Sequence, residues 1–332
     1  MVRGSHVYQD KATIDRIYEP IQEQLGQVEE RLQSLVPEGH AALSDLLRHV
    51  TSSSGKRVRP AITLLASRFH PNSGELPVTV AAAIELLHLA SLVHDDTVDN
   101  SSMRRGMATV SSLWGRNVAV QLGDYVFATS AVFVCDTKNV RVIRRFSETI
   151  KDLATGELVE AFGTFQWNQT YEQYKDRIFH KTASLFRAAA ESGAVLSGAS
   201  ETTIQALCQY GYSLGMAFQI VDDILDFDGT QEEVGKPVGH DLLQGVLTLP
   251  AMLFLERYPA NNPIIPLFRG EDPEGNRQKV LEIVRNSTII QDAYAVAEGF
   301  SADAAEALES LPDIRERQSL LDLASYVVER RR

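Results

Sequence analysis

Cysteine is nearly absent from this chain: Cys135 and Cys208 are the only two in 332 residues. Both lie in apolar stretches of helical pattern and read as buried thiols of a reducing compartment, with neither a disulfide framework nor a zinc site. Proline is missing from one long region, since none of the twelve lies between Pro77 and Pro237. A proline inside a helix costs about 3 kcal/mol, so this gap fits long, unbroken helices. Strand signals are scarce as well, with no sustained period-two run bounded by hairpin turns. Positive charge is in deficit: 32 Lys and Arg stand against 44 Asp and Glu, for a net charge of −12. That balance argues against a general nucleic-acid binder, which needs a basic footprint. No apolar run approaches membrane-spanning length and no signal peptide is read at the start. The expectation is a soluble, cytoplasmic chain without a membrane span.

What is present suffices for a large core. Apolar residues make up 44% of the sequence and recur at helical spacing through most of the proline-free region. Breaks are expected at residues 37–40, 52–55, 70–77, 104–106, 228–239 and 258–275, where Pro, Gly, Ser and Asn gather. We read one all-α bundle domain over residues 1–332, with an N-terminal amphipathic helical region at 1–45 and the main bundle at 55–332.

One acidic motif occurs twice. Asp95-Asp96-Thr97-Val98-Asp99 and Asp222-Asp223-Ile224-Leu225-Asp226 both read Asp-Asp-x-x-Asp, and each follows an apolar run. Residues four apart share a helix face, so Asp95 projects with Asp99 and Asp222 with Asp226. Carboxylates crowded on a buried helix repel one another and lose hydration unless a cation neutralises them. Hard divalent ions take such oxygen ligands, and Mg²⁺ shares its sphere with waters and substrate phosphates. The pair therefore points to a carboxylate–Mg²⁺–diphosphate site with Asp95, Asp96, Asp99, Asp222, Asp223 and Asp226 as metal ligands. The bland alternative is two solvated helix ends. A calcium loop fails on spacing, because Gly229 comes too early after Asp226. A site using both motifs must bring two distant helices face to face, as helix bundles do in their cores.

Basic groups complete such a site. Gly55-Lys56-Arg57-Val58-Arg59-Pro60 sets three cations at a loop-to-helix junction, where a helix N-terminus favours phosphate. Arg104-Arg105-Gly106 follows Asp99 closely, and arginine offers forked donors for phosphate oxygens. Lys236, beside Pro237, follows Asp226 in the next loop. His88 lies seven residues before Asp95, about 10 Å down the same stripe, although a lone histidine there is often a satisfied core residue. Lys181, Thr182 and Gln219 are polar residues at core-facing positions, and buried polar groups need partners. They suit stabilisation of a leaving group or a developing cation.

With these residues assembled, the chain resembles the trans-isoprenyl diphosphate synthases, the polyprenyl synthetase family, from about residue 50 onward. The resemblance rests on the ordered set of Gly-Lys-Arg-Val-Arg-Pro at 55–60, both aspartate motifs, Arg104-Arg105-Gly106, Gly123-Asp124-Tyr125, Lys181-Thr182, Phe218-Gln219 and Lys236-Pro237-x-Gly239-x-Asp241-Leu242. It implies the isoprenoid synthase type I fold, a single large helical bundle with a central cavity. It also implies a Mg²⁺-dependent prenyltransferase that joins isopentenyl diphosphate head-to-tail to an allylic diphosphate primer. By that resemblance Arg104, Lys181 and Lys236 stabilise the departing pyrophosphate, and Thr182 and Gln219 orient the carbocation. Lys56, Arg59, His88 and Arg105 would hold isopentenyl diphosphate. A homodimer is expected, since closed two-fold dimers are the commonest oligomer.

Three positions depart from the usual pattern: Ser54 stands where a second glycine is common, Gly156-Glu157-Leu158-Val159-Glu160 carries glutamate where many relatives have glutamine, and Val246 replaces a lysine of several shorter-chain members. Product length turns on Ala90 and Ser91, one helical turn before the first motif, where shorter-chain members often carry an aromatic ring. Nothing large stands there, so a tunnel past Ala90, Ser91, Leu87 and Ile84 is expected, with Phe127 or Phe133 as its floor. Close packing of a neighbouring helix is the alternative account of those small residues. Residues 151–157 also look like the solanesyl-type members. The expected product is longer than geranylgeranyl diphosphate, with a farnesyl or geranylgeranyl diphosphate synthase as the alternative. A class I terpene cyclase would normally lack the second aspartate motif and the Lys56/Arg59 site.

Overall fold

The computed structural model describes residues 3–35, 39–52, 55–71, 74–229, 238–260 and 262–329, the first eight by backbone alone. The elements run α1 (Arg3–Tyr18), a 3-10 turn (Glu19–Ile21), α2 (Gln22–Gln33), α3 (Ala41–Thr51), α4 (Val58–Ala66) and α5 (Glu75–Val98). A short hairpin, β1 (Met103–Arg104) and β2 (Met107–Ala108), precedes α6 (Val110–Trp114), α7 (Arg116–Asp136) and α8 (Val140–Gly163). Then come α9 (Tyr171–Ile178), a π-helical turn (Phe179–Ala183), α10 (Ser184–Ser197) and α11 (Glu201–Asp228). The chain continues through α12 (His240–Leu243), α13 (Leu249–Arg257), α14 (Ile264–Phe268), α15 (Pro273–Arg285), α16 (Ile289–Ala307) and α17 (Arg315–Glu329). The fold is all-α, and the proline-free span supplies its longest helices: 24 residues in α5 and in α8, 28 in α11.

The chain forms two compact units. The first comprises Met1–Glu148, Arg187–Gly211 and Leu308–Leu323. Its centre is α5, buried from Pro77 through Leu87 and packed against α7, α4 and α2. Glu85 lies inside this apolar surround at 3% exposure, where an unpaired carboxylate would be costly. Arg57 resolves that: its Nη1 donates to Glu85 at 2.7 Å and its Nε to Glu29 of α2 at 2.5 Å. The Arg57 backbone takes φ of 48° to reach both. The motif's middle cation is thus committed to tying α2 and α5 to the start of α4.

The second unit comprises Thr149–Phe186, Tyr212–Ala307 and Ala324–Arg332. Its core gathers Tyr174, Met216, Ile220, Ile224, Phe227 and Phe254 with apolar residues of α12 to α16. Close approach matters most at the π-turn. A Cβ on Gly156 of α8 would stand 2.5 Å from the Lys181 nitrogen, and one on Gly215 of α11 would stand 2.6 Å from the Ala183 Cα. Two glycines therefore let α8 and α11 press directly onto the turn.

Several expectations change. Residues 1–45 hold more than one amphipathic helix: Pro20 sits in a 3-10 turn that separates α1 from α2, and α3 begins at Ala41. Gly115, at φ of 88°, ends α6 and starts α7 without any proline signal. Cys135 is exposed and Cys208 only half-buried, so the reading of both as buried thiols was wrong. The buried stripe of α7 runs through Ala119, Leu122, Gly123, Val126, Ser130 and Val134, and Cys135 is turned about 100° from Val134. The expected lack of long apolar segments also fails. Glu75–Val98 and Arg116–Asp136 are long and apolar enough to cross a membrane by length and composition alone. The first has 78% of its apolar window buried and is a core helix, whereas the second is only 33% buried. Their apolar residues are interrupted by isolated polar ones, which hid both segments from a search for continuous runs.

The π-turn contact can be tested through its glycine. Gly215→Ala should lower stability by about 1–3 kcal/mol, the usual cost of overpacking, read as a shift in denaturation midpoint. An unchanged midpoint would show that α11 does not press on Ala183.

Candidate active site

In the first unit the acidic motif closes α5. Asp95 is half-buried, Asp96 buried and Asp99 exposed at the helix C-cap, with the Asp99 amide donating to the Asp95 carbonyl at 2.8 Å. A helix C-terminus carries partial negative charge, so carboxylates there meet an unfavourable dipole as well as one another. The hairpin that follows returns a cation. Arg105 and Gly106 both take positive φ, 50° and 78°, as a two-residue turn with the strand twist requires. Arg104 then donates from Nε to Asp96 Oδ1 at 2.6 Å.

Arg105 reaches the basic loop instead. A Cβ on Gly55 would stand 2.6 Å from Arg105 Nη1, so glycine there makes room for the guanidinium. Half-buried His88 has its pKa held well below the usual value, first by burial and then by the charges of Arg59, Arg105, Arg104 and Arg57. The imidazole is therefore neutral, and the ring of arginines around it forms an anion-attracting patch. Lys56 is exposed at the edge of the same loop. The structure brings together the predicted His88, Arg59 and Arg105, and Arg104 joins them to the acidic motif.

The residues expected to govern length also lie in this unit. Ala90, Leu87 and Ile84 are buried, at 1%, 2% and 0% exposure. Ser91 is half-buried and donates its hydroxyl to the His88 carbonyl at 2.8 Å. Phe127 and Phe133 of α7 are both half-buried, and their separation of six positions sets them about 120° apart, on opposite flanks of the buried stripe.

In the second unit the acidic motif sits near the end of α11. Asp223 and Asp226 are each 4% exposed, and Asp222 is half-buried. Both oxygens of Asp223 are engaged: Gln219 Nε2 donates to Oδ1 at 2.8 Å and the Tyr174 hydroxyl to Oδ2 at 2.7 Å. The Thr182 hydroxyl donates to Gln219 Oε1 at 2.6 Å, giving a chain from Thr182 through Gln219 and Asp223 to Tyr174. Asp226 accepts the amides of His240 and Asp241 at 3.1 and 3.2 Å and so caps α12. Burial pushes the Asp223 pKa up to about 7, with the Gln219 hydrogen bond opposing and the Asp241 charge adding. Burial and then the Asp241 charge push Asp226 up to about 8.

Lys181, presented by the π-turn, pairs with Glu160 at 2.5 Å and Glu157 at 3.2 Å, both from α8. Turns of this rare geometry often mark functional positions. Glu160 also lies 3.8 Å from Arg177, whose Nη2 donates to the Leu247 carbonyl at 2.7 Å. Tyr174, Glu160 and Arg57 were not among the expected site residues. Tyr174 carried a signal, lying seven residues before Lys181 on the same helical stripe. Ser54, Lys236 and Pro237 fall outside the described residues.

The donor chemistry fits a hard divalent cation, since both motifs offer only carboxylate oxygen. Among the described residues no three acidic, histidine or cysteine side chains converge on a single metal position.

Comparison with known proteins follows the same line. Residues 40–286 match the polyprenyl synthetase family. The chain is 38% identical over 323 residues to a prenyl transferase of Cyanophora paradoxa, covering 96% of this chain and 99% of that one. It superimposes with a TM-score of 0.90 on a decaprenyl diphosphate synthase from Rhodobacter capsulatus, at 35% identity over 96% of this chain and 99% of that one. A polyprenyl synthase from Caulobacter crescentus, complexed with calcium and isoprenyl diphosphate, matches with a TM-score of 0.91 at 30% identity, covering 96% and 98%.

The raised carboxyl pKa values predict a pH dependence of stability. Asp226 has a usual value near 3.8 and a folded value of about 8, so the folded state binds its proton more tightly between those limits. Stability from this group is therefore fully present below about pH 4 and is lost as pH rises through about 8. Without added metal, Asp226→Asn should flatten the fall in melting temperature between pH 5 and pH 8 relative to the unaltered protein. Equal slopes for the two proteins would contradict the raised pKa.

Proposed function

The chain belongs to the polyprenyl synthetase family, and on that premise we propose that it condenses isopentenyl diphosphate head-to-tail with an allylic diphosphate, in a Mg²⁺-dependent reaction, to give an all-trans polyprenyl diphosphate longer than geranylgeranyl. The observation that carries this reading is the neighbourhood at the end of α5. There Asp96 is bridged to Arg104, and Arg104 stands with Arg105 and Arg59 around a neutral His88. Oxygen donors for a hard cation and forked donors for phosphate thus occur side by side.

In this reading Asp95, Asp96, Asp99, Asp222, Asp223 and Asp226 are the residues that would hold Mg²⁺. When bound, Mg²⁺ supplies Lewis-acid stabilisation of the negative charge that builds on the diphosphate as it leaves. Arg104 and Lys181 are the cations assigned to the negative charge of the leaving group, a role also proposed for Lys236. For Lys181 this means exchanging Glu160 and Glu157, its present partners, for phosphate oxygen. As the allylic C–O bond breaks, the Gln219 amide and Thr182 hydroxyl, already hydrogen-bonded to each other, orient the electron-poor chain. Lys56, Arg59, Arg105 and His88 hold the diphosphate of isopentenyl diphosphate, whose double bond attacks the allylic carbon. Loss of a proton then restores a double bond and leaves an allylic diphosphate one isoprene unit longer.

Two things favour a long product. The decaprenyl enzyme named above is similar over nearly the whole chain, and no aromatic ring occupies Ala90 or Ser91. Incubation with Mg²⁺, isopentenyl diphosphate and a labelled allylic primer should give products beyond geranylgeranyl length. Asp95→Ala and Asp222→Ala should lower turnover by about 10³-fold, in line with loss of transition-state charge stabilisation, with little change in folding. Products that stop at farnesyl length would reject the long-chain reading, and full turnover in either variant would reject the metal role.

We also propose a homodimer. Its support is the outward face of α7, where Val120, Tyr125 and Val132 are 45%, 41% and 57% exposed on a helix of otherwise apolar composition. Light scattering at micromolar concentration should give twice the chain mass, and Val132→Glu should shift it toward the monomer. A monomer for the unaltered chain would refute the dimer.

A further inference from the structure

We infer that His49, in α3, is a positioning residue for the Arg104–Arg105 hairpin and thereby sets the affinity for isopentenyl diphosphate; this rests on the reading of Arg105 under the proposed function.

A hairpin of two residues per strand has little stability of its own, yet this one carries both arginines. A pocket of about 50 Å³ lies where the hairpin meets the rest of its unit, with Leu89, Val93, Met107 and Val110 in its lining together with His49 and Arg105. Side chains that face open space have fewer dispersion contacts than those of a filled core. Directional bonds take over. At the base of the hairpin the Thr109 hydroxyl donates to the Ser101 carbonyl at 2.7 Å and the Thr109 amide to the Ser102 carbonyl at 3.0 Å. At its first strand Arg104 bonds Asp96. At its second strand His49 Nε2 lies 2.8 Å from the Ala108 carbonyl. A carbonyl can only accept, so Nε2 carries the hydrogen.

These tethers are not equivalent. The Thr109 bonds are local and close the loop without fixing its direction. The Arg104 bond uses a carboxylate that the proposed reading assigns to the metal, so it is the tether exposed to competition. His49 ties the second strand to α3, a different helix, through a ring to which the proposed reading assigns no ligand. The ring itself is held: it meets Trp114 edge-on, with centroids 5.2 Å apart and planes at 74°. Trp114 ends α6, the helix that the hairpin leads into. The tether thus joins α3 to the strand next to Arg105, whose guanidinium rests against Gly55.

The test separates the hydrogen bond from the ring contact. His49→Phe keeps an aromatic ring for Trp114 and removes the donor, while His49→Gln places an amide nitrogen at similar reach. With isopentenyl diphosphate as varied substrate, His49→Phe should raise KM about fivefold, equivalent to about 1 kcal/mol and to one net hydrogen bond. KM for the allylic primer should change less than twofold, and His49→Gln should restore the first value. Hydrogen exchange supplies a readout independent of turnover: amides of residues 103–109 should exchange faster in His49→Phe and return to normal in His49→Gln. Unchanged exchange overturns the tether whatever the activity. Faster exchange with both KM values raised equally, or with neither raised, overturns the link to isopentenyl diphosphate. An unaltered protein that turns over no isopentenyl diphosphate would defeat the proposed function, and with it the affinity claim, while the exchange result still decides whether His49 holds the hairpin.

Discussion

Negative charge gathered at the C-terminal ends of two long helices is the constraint on which the rest depends. Asp95, Asp96 and Asp99 close α5, and Asp222, Asp223 and Asp226 come within the last two turns of α11. Carboxylates in the last turn are opposed by the helix dipole, and at Asp96, Asp223 and Asp226 burial removes the water that would soften the repulsion. The two units answer differently. The first supplies a formal cation, Arg104, on a hairpin that begins a few residues after the motif. The second supplies neutral donors, Tyr174, Gln219 and the amides at the start of α12. Burial raises the pKa values of Asp223 and Asp226 to about 7 and about 8, with the Asp241 charge adding and these neutral donors opposing only in part.

Holding such charge in place needs a rigid frame, and small residues provide much of it. The π-turn carries Lys181 and Thr182 in a geometry that an ordinary α-helix would not give them. It persists because Gly156 and Gly215 let two helices close on it from the sides. Gly55 plays the corresponding part in the first unit by vacating space for Arg105. Arg57, by contrast, is frame rather than site: its ion pairs with Glu29 and Glu85 fix the start of α4.

Much of this was legible in the sequence because it rests on short-range periodicity. The i, i+4 spacing of the aspartates, the proline gap and the order of the basic motifs needed no tertiary information. What was missed depends on which face of a helix turns inward. Cys135 sits in an apolar stretch like its buried neighbour Val134, and only the packing of α7 tells them apart. Arg57 looks the same as Arg59 in sequence, and its role appears only when α2 and α5 bring Glu29 and Glu85 together. The hydroxyl of Tyr174 finds Asp223 across 49 positions, a pairing no local pattern specifies. Pro20 was visible, but its capacity to split an amphipathic segment with a single 3-10 turn was underweighted.

Glu160 shows how the frame bears on binding. The carboxylate of Glu160 lies 2.5 Å from Lys181. The lysine's charge is compensated before any diphosphate arrives, just as that of Asp96 is compensated by Arg104. Under the proposed function, binding of a metal diphosphate would exchange partners that are already ionised and already oriented. Ordering a long side chain costs about 0.5–1.5 kcal/mol, and at Lys181 and Arg104 much of that cost is met on folding. The opposing term is the ion pair that must be broken, which is modest at these half-exposed positions, 30% exposed for each cation. Charge pairing within each unit thus compensates these groups locally in a strongly acidic chain, and the proposed function would draw on the same cations.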